Sequence, residues 1–423
     1  MTEWVTPTTL DLSRWIRPGD AIVCGQACGE PLSLMEALIA QRHDLGGVTL
    51  FTGSSFSGLL QPEHCDRIRP RSMGSIGSLR SLAKAGKLDI IPCHVGQIGR
   101  MIAAGKIGCD VAFIQVTPAD AEGQYGLGVI ADYVAAAVAK ARVVIAEVSE
   151  AVPRTVCEAM LSADTIDVAI LSDRSPVNVE PSPVGDLDRA IASHVAQFIE
   201  DESILQVGIG AVPEAITQLV GDRRDLGVHS GMIGDGFVDL IENGIVTNAT
   251  HEGWKGVSVT GALIGSERLY RFADRNPALL LASSAITHNE AILSRLPRFV
   301  SINSAIEVDL TGQVNAETAG GVYLGGTGGQ VDYVRGAMRA PGGHSIIALP
   351  ATAKASTSRI VASLTGPVTT ARSEVDIIVT EYGAAQLRGL SLAERARAMI
   401  AIAHPDFRED LAAQAHTLFS RGY

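Results

Sequence analysis

Aromatic and charged residues are scarce in this chain of 423 residues, at 4% and 19% of the total. So few aromatic side chains argue against a β-sandwich core, while the 46% of hydrophobic residues favours closely packed α/β layers. The length predicts two domains rather than one. Basic residues are outnumbered by acidic ones, 34 to 46, which gives a net charge of −12. This excess of negative charge argues against binding to a nucleic acid.

The chain also lacks a long apolar run. The longest one, from Tyr133 to Val148, is interrupted by Lys140, Arg142 and Glu147, so no membrane-spanning segment is expected. The first residues, MTEWVTPTTLDL, have neither the basic start nor the apolar stretch of a signal peptide. We therefore expect a cytoplasmic protein with no membrane partner.

Several catalytic and metal-binding motifs are missing. The six cysteines do not form a CxxC motif and the ten histidines do not form HExxH, so no metal site is expected. The cysteines are expected to be buried thiols in a reducing compartment. Without GxSxG, an α/β-hydrolase triad is disfavoured. Without GxGxxG or a P-loop motif, neither a dinucleotide nor a nucleoside triphosphate is indicated.

A diverged internal repeat is present instead. Residues 20–53 and 202–231 each begin with an apolar strand, turn through two glycines, and continue into a helix opened by Pro31 or Pro213. Both close with Arg-x-Asp-Leu-Gly and a second apolar strand. This order predicts two similar open α/β domains with mainly parallel sheets, each starting with a βαβ unit. The proline-rich segment 174–186 predicts domains over 1–180 and 190–423.

Two glycine-containing segments are candidate ligand sites. The first follows an alternating polar and apolar stretch and contains six glycines: Gly320, Gly321, Gly325, Gly326, Gly328 and Gly329. Its amides are expected to cradle an anion or oxyanion, although a cluster of tight turns is the alternative. Nearby polar residues favour a ligand: Asn303, Asn315, Glu317 and Gln330. The second, Gly208-Ile209-Gly210, lies between a strand and a helix and suits a phosphate or oxyanion.

With these residues in view, the chain resembles the acetyl-CoA hydrolase/transferase family, which includes the 4-hydroxybutyrate and butyrate:acetate CoA-transferases. The resemblance covers essentially the whole length, and the similar segments include GQACGEP (25–31), DVAFIQVTPADAEGQYGLGVIADY (110–133), LQVGIGAVPEAI (205–216), SINSAIEVDLTGQVNAE (301–317), GGTGGQVDYVRGA (325–337), SIIALPATAK (345–354) and VTEYGAAQLRG (379–389). It implies two CoA-transferase-type domains with the active site in the cleft between them, in a homo-oligomer. It also implies that the reactants are an acyl-CoA and either a carboxylate or water.

The family's chemistry uses a glutamate as nucleophile. This glutamate attacks the acyl-CoA thioester to give an anhydride, the released CoA converts it to a glutamyl-CoA thioester, and a second carboxylate accepts the CoA. The family carries it in Leu-Gly-(Ile/Val)-His-(Ser/Thr)-Glu-Met, whereas residues 226–232 here read Leu-Gly-Val-His-Ser-Gly-Met. The position of the family glutamate is therefore occupied by Gly231, which cannot form the anhydride.

Three interpretations remain open. In the first, CoA transfer continues with a substitute carboxylate, for which Glu30, Glu317 and Glu381 are candidates. In the second, water replaces the nucleophile and hydrolyses a thioester or an activated C–C bond, with His229 or Glu317 as base. In the third, the chain is a CoA-ester-binding protein without activity, or an engineered inactive variant. Packing at a strand end is the alternative role of His229, and an ion pair or helix cap that of Glu381.

The resemblance also implies binding roles. The loop from Gly325 to Gln330 would stabilise the oxyanion, and Gly208 with Gly210 would hold the CoA end. Lys354 and Arg359 would lie near the CoA phosphates, or else be a solvated cation pair. Asn303 and Gln330 would orient the substrate, as would Glu30, although Asn303 could instead stabilise a turn. Coenzyme A enters only as part of the acyl-CoA substrate, and no metal is expected.

Overall fold

The structure is a computed structural model that describes residues 2–354 and 356–419. Helices and parallel strands alternate along the chain. The helices are α1 Leu32–Gln41, α2 Leu79–Lys84, α3 Val95–Ala103, α4 Val134–Lys140, α5 Asp186–Ala196, α6 Ala211–Leu219, α7 Gly236–Glu242, α8 Glu267–Ala273, α9 Ser284–Thr287, α10 Glu290–Leu293, α11 Gln330–Arg339, α12 Leu392–Ala401 and α13 Pro405–Leu418. The strands are β1 Glu3–Val5, β2 Ala21–Cys24, β3 Val48–Phe51, β4 Ile68–Ser72, β5 Asp89–Ile90, β6 Val111–Val116, β7 Gln124–Tyr125, β8 Val143–Ser149, β9 Leu161–Ser162, β10 Val168–Ser172, β11 Ile204–Val207, β12 Gly227–Ser230, β13 Ser258–Thr260, β14 Leu279–Leu281, β15 Phe299–Ser304, β16 Glu307–Asp309, β17 Val314–Asn315, β18 Thr318–Ala319, β19 Val322–Tyr323, β20 His344–Ala348, β21 Thr352–Ala353, β22 Thr357–Ser358, β23 Ile360–Val361, β24 Ile377–Thr380 and β25 Gly383–Gln386.

The chain divides into two compact units. The first contains the chain up to Glu180 together with Gly231–Asp235 and Ser258–His288. Its main sheet has the order β1-β10-β8-β6-β2-β3-β4-β5, and every pairing in it is parallel. The central strands β6 and β8 are buried along their whole length. Burial on both faces is what continuous apolar strands in a parallel sheet require.

The second unit contains Pro181–Ser230, Gly236–Val257 and the chain from Asn289 onward. Its strands run β12-β11-β15-β20-β24 in parallel, and β25 joins β24 antiparallel. One hydrophobic core joins α12 and α13 to strands of this unit, with buried residues such as Val308, Ile378 and Met399. The predicted α/β class with mainly parallel sheets is confirmed.

The internal repeat corresponds to two βαβ units. In the first unit β2, α1 and β3 are consecutive, and Ile22 pairs with Leu50 in parallel register. In the second unit β11, α6 and β12 repeat this order, and Leu205 pairs with Val228. The two prolines differ in position: Pro31 immediately precedes α1, whereas Pro213 is the third residue of α6.

Helix α1 depends on a carboxylate from the sheet. Pro31 offers no capping side chain, so the first amides of the helix need another acceptor. Glu147, fully buried in the middle of β8, accepts hydrogen bonds from the Ser33 amide at 2.7 Å and from the Ser33 hydroxyl at 3.0 Å. A negative charge at this end also complements the helix dipole.

Two details differ from the expected organisation. Gln330 was predicted to belong to the glycine loop, but it is the first residue of α11, so the loop ends at Gly329. The segments 231–235 and 258–288 lie with the first unit, although they follow its predicted end near residue 180 in the chain. The division into domains 1–180 and 190–423 stays a prediction.

Among the residues that the structure describes, no helix is long and apolar enough to cross a membrane.

Close helix packing around Gly336 gives a stability test. A Cβ atom at Gly336 in α11 would lie 2.4 Å from the Leu293 Cβ atom of α10. A glycine-to-alanine change inside a helix normally stabilises it by about 1 kcal/mol. Here we expect Gly336→Ala to lower the free energy of unfolding by about 1–3 kcal/mol because of the clash.

The control is Gly221→Ala, since a Cβ atom there meets no heavy atom within 4 Å among the residues that the structure describes. Thermal unfolding monitored by circular dichroism compares the two variants. A Gly336→Ala protein as stable as the control would contradict the packing described.

Candidate functional site

Most of the candidate residues of the second unit lie at one edge of its sheet. The parallel strands β12, β11, β15, β20 and β24 all end at this edge, where ligands bind in open α/β sheets. The residues at or just beyond these ends are His229 and Ser230, Gly208 to Gly210, Asn303, Ala351 and Glu381.

The glycine loop lies before α11 and presents free backbone donors. The amides of Gly328, Gly329 and Gln330 have no acceptor within residues 2–354 and 356–419. Gly328 has a φ of +53°, which favours glycine, and a Cβ atom at Gly325 would lie 2.3 Å from the Ala316 carbonyl oxygen. Free amides at the start of a ten-residue helix form a site that suits an anion or a developing oxyanion.

The Gly208–Gly210 turn is a second glycine-containing segment that leads directly into a helix, here α6. Gly210 has a φ of +123° and immediately precedes the helix, so glycine is needed there for its backbone conformation. Gly208 has no such requirement, because a Cβ atom there would meet no heavy atom of the described residues within 4 Å. The open space beside Gly208 is compatible with a ligand approaching the helix N-terminus.

Glu317 is joined directly to the glycine loop. Its carbonyl oxygen accepts hydrogen bonds from the amides of Leu324 (2.9 Å) and Gly325 (3.0 Å). Glu317 is 5% exposed, and its Oε1 atom accepts a hydrogen bond from the Thr369 hydroxyl at 2.9 Å. The Tyr323 hydroxyl lies 3.4 Å from Oε2, which is long for a hydrogen bond between two oxygens. One oxygen is thus held firmly and the other weakly.

Glu30, in contrast, is saturated with hydrogen bonds. Its two oxygens accept from the amides of Phe56 (2.7 Å) and Ser57 (3.2 Å) and from the hydroxyls of Ser57 (2.7 Å) and Ser55 (3.0 Å). Burial raises the pKa of Glu30, and these four donors oppose the rise. A carboxylate with four donors is fixed in place, so the geometry favours a role in shaping the loop 55–57 over one as nucleophile.

Glu381 and Arg359 meet at a backbone segment after β20. The Ala351 amide donates to Glu381 Oε2 at 2.8 Å, and the Arg359 amide donates to the Ala351 carbonyl at 2.8 Å. Burial lowers the pKa of Arg359, and the charge of Glu381 opposes this. The Arg359 Nε atom is buried without a partner among the described residues, which suits an anionic ligand. Lys354, at the turn after β21, is exposed and has a φ of +52°.

The two predicted orienting amides both have protein partners. Asn303 on β15 donates from Nδ2 to Gln206 Oε1 on the neighbouring strand β11 at 3.0 Å. Gln330 donates from Nε2 to the Thr370 hydroxyl at 3.1 Å and is buried. These bonds fix both side chains, and any contact with a substrate would use their remaining polar atoms.

His229 is packed inside an aromatic cluster. It is fully buried, its Nδ1 atom lies 3.1 Å from His251 Nε2, and its ring centroid lies 5.7 Å from that of Trp254. Burial lowers the pKa of His251 and so favours a neutral ring. This environment favours the packing role of His229 over that of a base.

Gly231 directly follows β12 and belongs to the first unit. Its carbonyl oxygen lies 3.0 Å from the position that a Cβ atom of Gly261 would take. The absence of a side chain at Gly261 therefore allows the Gly231 carbonyl to approach closely at this point. The correspondence of Gly231 to the family glutamate stays a prediction.

An acidic residue that sequence reasoning missed lies in the first unit. Asp132 is 8% exposed, has a φ of +27°, and accepts a hydrogen bond from Gln26 Nε2 through Oδ2. Its Oδ1 atom is buried without a partner in the described part of the chain. Burial raises the pKa of Asp132 to about 7. The signal in the sequence was one acidic residue in the otherwise apolar stretch 129–134.

Other polar groups of the site were also missed. They are Thr369, Thr370 and Gln206, which hold Glu317, Gln330 and Asn303. No local pattern marks these residues, because each acts on a partner far away in the sequence. Within residues 2–354 and 356–419, no group of three or more His, Cys, Asp or Glu side chains is placed to hold a metal ion.

The sequence matches models of a known protein family in both halves of the chain. Residues 6–181 match the acetyl-CoA hydrolase/transferase N-terminal domain, and residues 265–415 match the C-terminal domain of the same family. The chain belongs to the acetyl-CoA hydrolase/transferase family. The predicted family and the prediction of an acyl-CoA-processing enzyme are confirmed.

Individual relatives cover nearly the whole chain. The 4-hydroxybutyrate coenzyme A transferase of Clostridium kluyveri is 38% identical over 395 residues, 92% of each protein. The crystal structure of RipA from Yersinia pestis has a TM-score of 0.93 at 32% identity, covering 98% of this chain and 97% of that one. A 4-hydroxybutyrate CoA-transferase from Porphyromonas gingivalis has a TM-score of 0.85 at 33% identity, covering 99% and 98%.

Asp132 predicts a pH-dependent stability. Its folded pKa of about 7 lies above its ordinary value of 3.8, so its contribution to stability is present at low pH and is lost as pH rises toward 7. The amide in Asp132→Asn cannot ionise. Between pH 5 and pH 7 we expect the wild type to lose up to about 3 kcal/mol more than this variant.

Thermal midpoints measured across this pH range compare the two proteins. Parallel curves for the wild type and Asp132→Asn would show that Asp132 ionises normally in the folded protein.

Proposed function

We propose that the chain transfers coenzyme A between an acyl-CoA and a carboxylate, with Glu317 as the reactive carboxylate. The observation that carries this proposal is the direct attachment of Glu317 to the glycine loop through the amides of Leu324 and Gly325. Free amides for an oxyanion and a weakly held carboxylate oxygen are the two groups that attack on a thioester needs. The name of the Clostridium kluyveri relative, a CoA transferase, supports this class of reaction.

The proposed reaction assigns each step to a group of this site. The thioester oxygen accepts hydrogen bonds from the amides of Gly328 and Gly329. Glu317 Oε2 attacks the carbonyl carbon, the C–S bond breaks, and CoA leaves as a thiolate. The thiolate then attacks the Glu317 carbonyl carbon of the anhydride and releases the first carboxylate. The second carboxylate attacks the resulting thioester by the same two steps in reverse, and a new acyl-CoA leaves.

The buried position of Glu317 requires a local movement. Its carboxylate is covered in this structure, and Tyr323 of the β18–β19 hairpin faces Oε2. The hairpin tip at Gly320 and Gly321 is exposed, and both glycines have positive φ. Displacement of Tyr323 by the acyl group would expose Oε2 and exclude water once the ester is bound.

The remaining candidate residues suit the CoA part of the substrate. Gly208 and Gly210 at the start of α6 would face one anionic group. Lys354 and Arg359 would face another, and Arg359 has a buried Nε atom that lacks a protein partner in the described residues. A cytoplasmic location and a homo-oligomer complete the proposal, and light scattering in solution tests the oligomer.

Glu317→Gln tests the reactive carboxylate. The amide is not a nucleophile, so we expect the rate of CoA exchange between acetyl-, butyryl- or 4-hydroxybutyryl-CoA and acetate to fall by at least about 1000-fold. Binding of free CoA, measured by calorimetry, should stay within about threefold of the wild type because Glu317 does not contact the CoA tail in this proposal.

Glu381→Gln is the matched control, since glutamine keeps an oxygen for the Ala351 amide. It should retain at least about a tenth of the activity. Full activity in Glu317→Gln together with loss in Glu381→Gln would assign the reaction to Glu381.

Hydrolysis of the thioester is the second candidate function, and Gly231 favours it. The family's glutamate would occupy the position where this chain has no side chain. Water could then reach the thioester, with Glu317 acting as base in place of nucleophile. The products would be the free acid and CoA, without a covalent intermediate.

Gly231→Glu separates the two functions. If Gly231 stands at the family position, the new carboxylate should raise the ratio of CoA transfer to hydrolysis for acetyl-CoA with acetate. Gly231→Gln has nearly the same size but no nucleophile, so it should not raise that ratio. Equal behaviour of the two variants would show that position 231 does not face the thioester.

A further inference from the structure

The two hydrogen-bond partners of the Thr369 hydroxyl determine where its proton points. Its oxygen lies 2.9 Å from the Ala316 amide nitrogen and 2.9 Å from Glu317 Oε1. An amide N–H can only donate, so the hydroxyl oxygen accepts from Ala316. The single hydroxyl proton is then directed at Glu317 Oε1. Thr369 is 8% exposed, so water does not compete for this bond.

The backbone around Thr369 keeps the hydroxyl in place. The amides of Thr369 and Thr370 both point to the Val314 carbonyl oxygen, at 2.7 Å and 3.2 Å. The Thr370 hydroxyl in turn accepts from Gln330, the first residue of α11. The segment 369–370 therefore contacts both the Glu317 side chain and the start of the helix behind the glycine loop.

The turn that carries Glu317 is fixed from its other side. Asn315 Oδ1 accepts from the amides of Glu317 and Thr318, each at 3.0 Å, and Asn315 Nδ2 donates to the Thr318 carbonyl at 2.8 Å. With its backbone held by Asn315, the carboxylate can still rotate about its side-chain bonds. The Thr369 hydroxyl is the one close donor that restricts this rotation within the described residues.

We propose that Thr369 is a positioning residue that holds Glu317 Oε1 and so directs Oε2 to the thioester carbon. This inference rests on the proposed function, in which Glu317 is the nucleophile. Oε2 forms the new C–O bond as the C–S bond breaks and the thiolate leaves. Thr369 transfers no proton in this step, and its hydrogen bond to Oε1 persists through it.

Loss of this hydrogen bond is expected to lower kcat and to leave KM nearly unchanged. A carboxylate that rotates freely samples many orientations, and misplacement of a reacting atom by about 1 Å can cost on the order of 100-fold in rate. Thr369 does not contact the CoA tail in the proposed arrangement, so the KM for acyl-CoA should change little. A structural defect of the turn would instead affect stability and KM together.

Thr369→Val and Thr369→Ser test the proposal in the full-length protein. Valine keeps the branched shape but removes the hydroxyl, so we expect kcat for CoA exchange to fall about 30- to 100-fold with KM within about threefold. Serine keeps the hydroxyl and should restore kcat to within about threefold of the wild type. Thr165→Val, which removes a part-buried hydroxyl that donates to the Ser162 carbonyl at 2.6 Å in the first unit, serves as the matched control and should retain near-normal kcat.

Two results would overturn the proposal: a Thr369→Val enzyme with unchanged kcat, or a Thr369→Ser enzyme as slow as Thr369→Val. If Thr369→Val does not fold, Thr369→Ala removes the same hydroxyl and is measured against Thr369→Ser in its place. Glu317→Gln separates a failure of the proposed function from a failure of the proposed role of Thr369. An active Glu317→Gln enzyme rejects the proposed function, whereas an inactive one beside a fully active Thr369→Val enzyme rejects only the role of Thr369.

Discussion

The hydrogen bonds from Leu324 and Gly325 to the Glu317 carbonyl are the interaction on which the proposed site depends. They join the backbone of Glu317 to the glycine loop, because both amides belong to the chain entering the loop. A Cβ atom at Gly325 would collide with the Ala316 carbonyl, so this approach is open only to glycine. The loop then leads into α11, and the amides of Gly328 and Gly329 at its start have no acceptor in the part of the chain that the structure describes.

The buried acidic residues differ in how many hydrogen bonds their carboxylate oxygens accept. Glu30 accepts four bonds and Glu147 caps a helix, so both satisfy neighbouring donors as part of the fold. Asp132 has one oxygen without a partner among the described residues, and Glu317 has one that is only weakly held. Burial alone does not identify a reactive carboxylate, and the proposal for Glu317 therefore rests on its weakly held oxygen and on the hydrogen bonds between its backbone and the glycine loop.

The architecture could be predicted from local features. Apolar strands, glycine turns and prolines at or near helix starts are encoded within about thirty residues, and the internal repeat shows each of them twice. The glycine loop was predicted for the same reason, since the conformations of Gly320, Gly321 and Gly328 need glycine at those positions. The exact end of the loop was missed because nothing local distinguishes Gln330 as loop residue or first residue of a helix.

Residues that act across long separations could not be predicted. Thr369 lies 52 positions from Glu317, and Gln26 lies 106 positions from Asp132. His229 lies two residues before Gly231 in the sequence and was therefore a candidate base, yet its ring packs against those of His251 and Trp254. Only the fold shows which polar groups face one another and which are enclosed.

Location of the covalent intermediate tests the central claim, that Glu317 replaces the glutamate absent at position 231. The protein is incubated with acyl-CoA, reduced with borohydride, digested and mapped by mass spectrometry, since a glutamyl thioester is reduced to an alcohol while a free carboxylate is not. If Glu317 is the nucleophile, the modification lies on Glu317, in the peptide that leads into the glycine loop. Modification of Glu30 or Glu381, or CoA transfer without any modified glutamate, would contradict that claim.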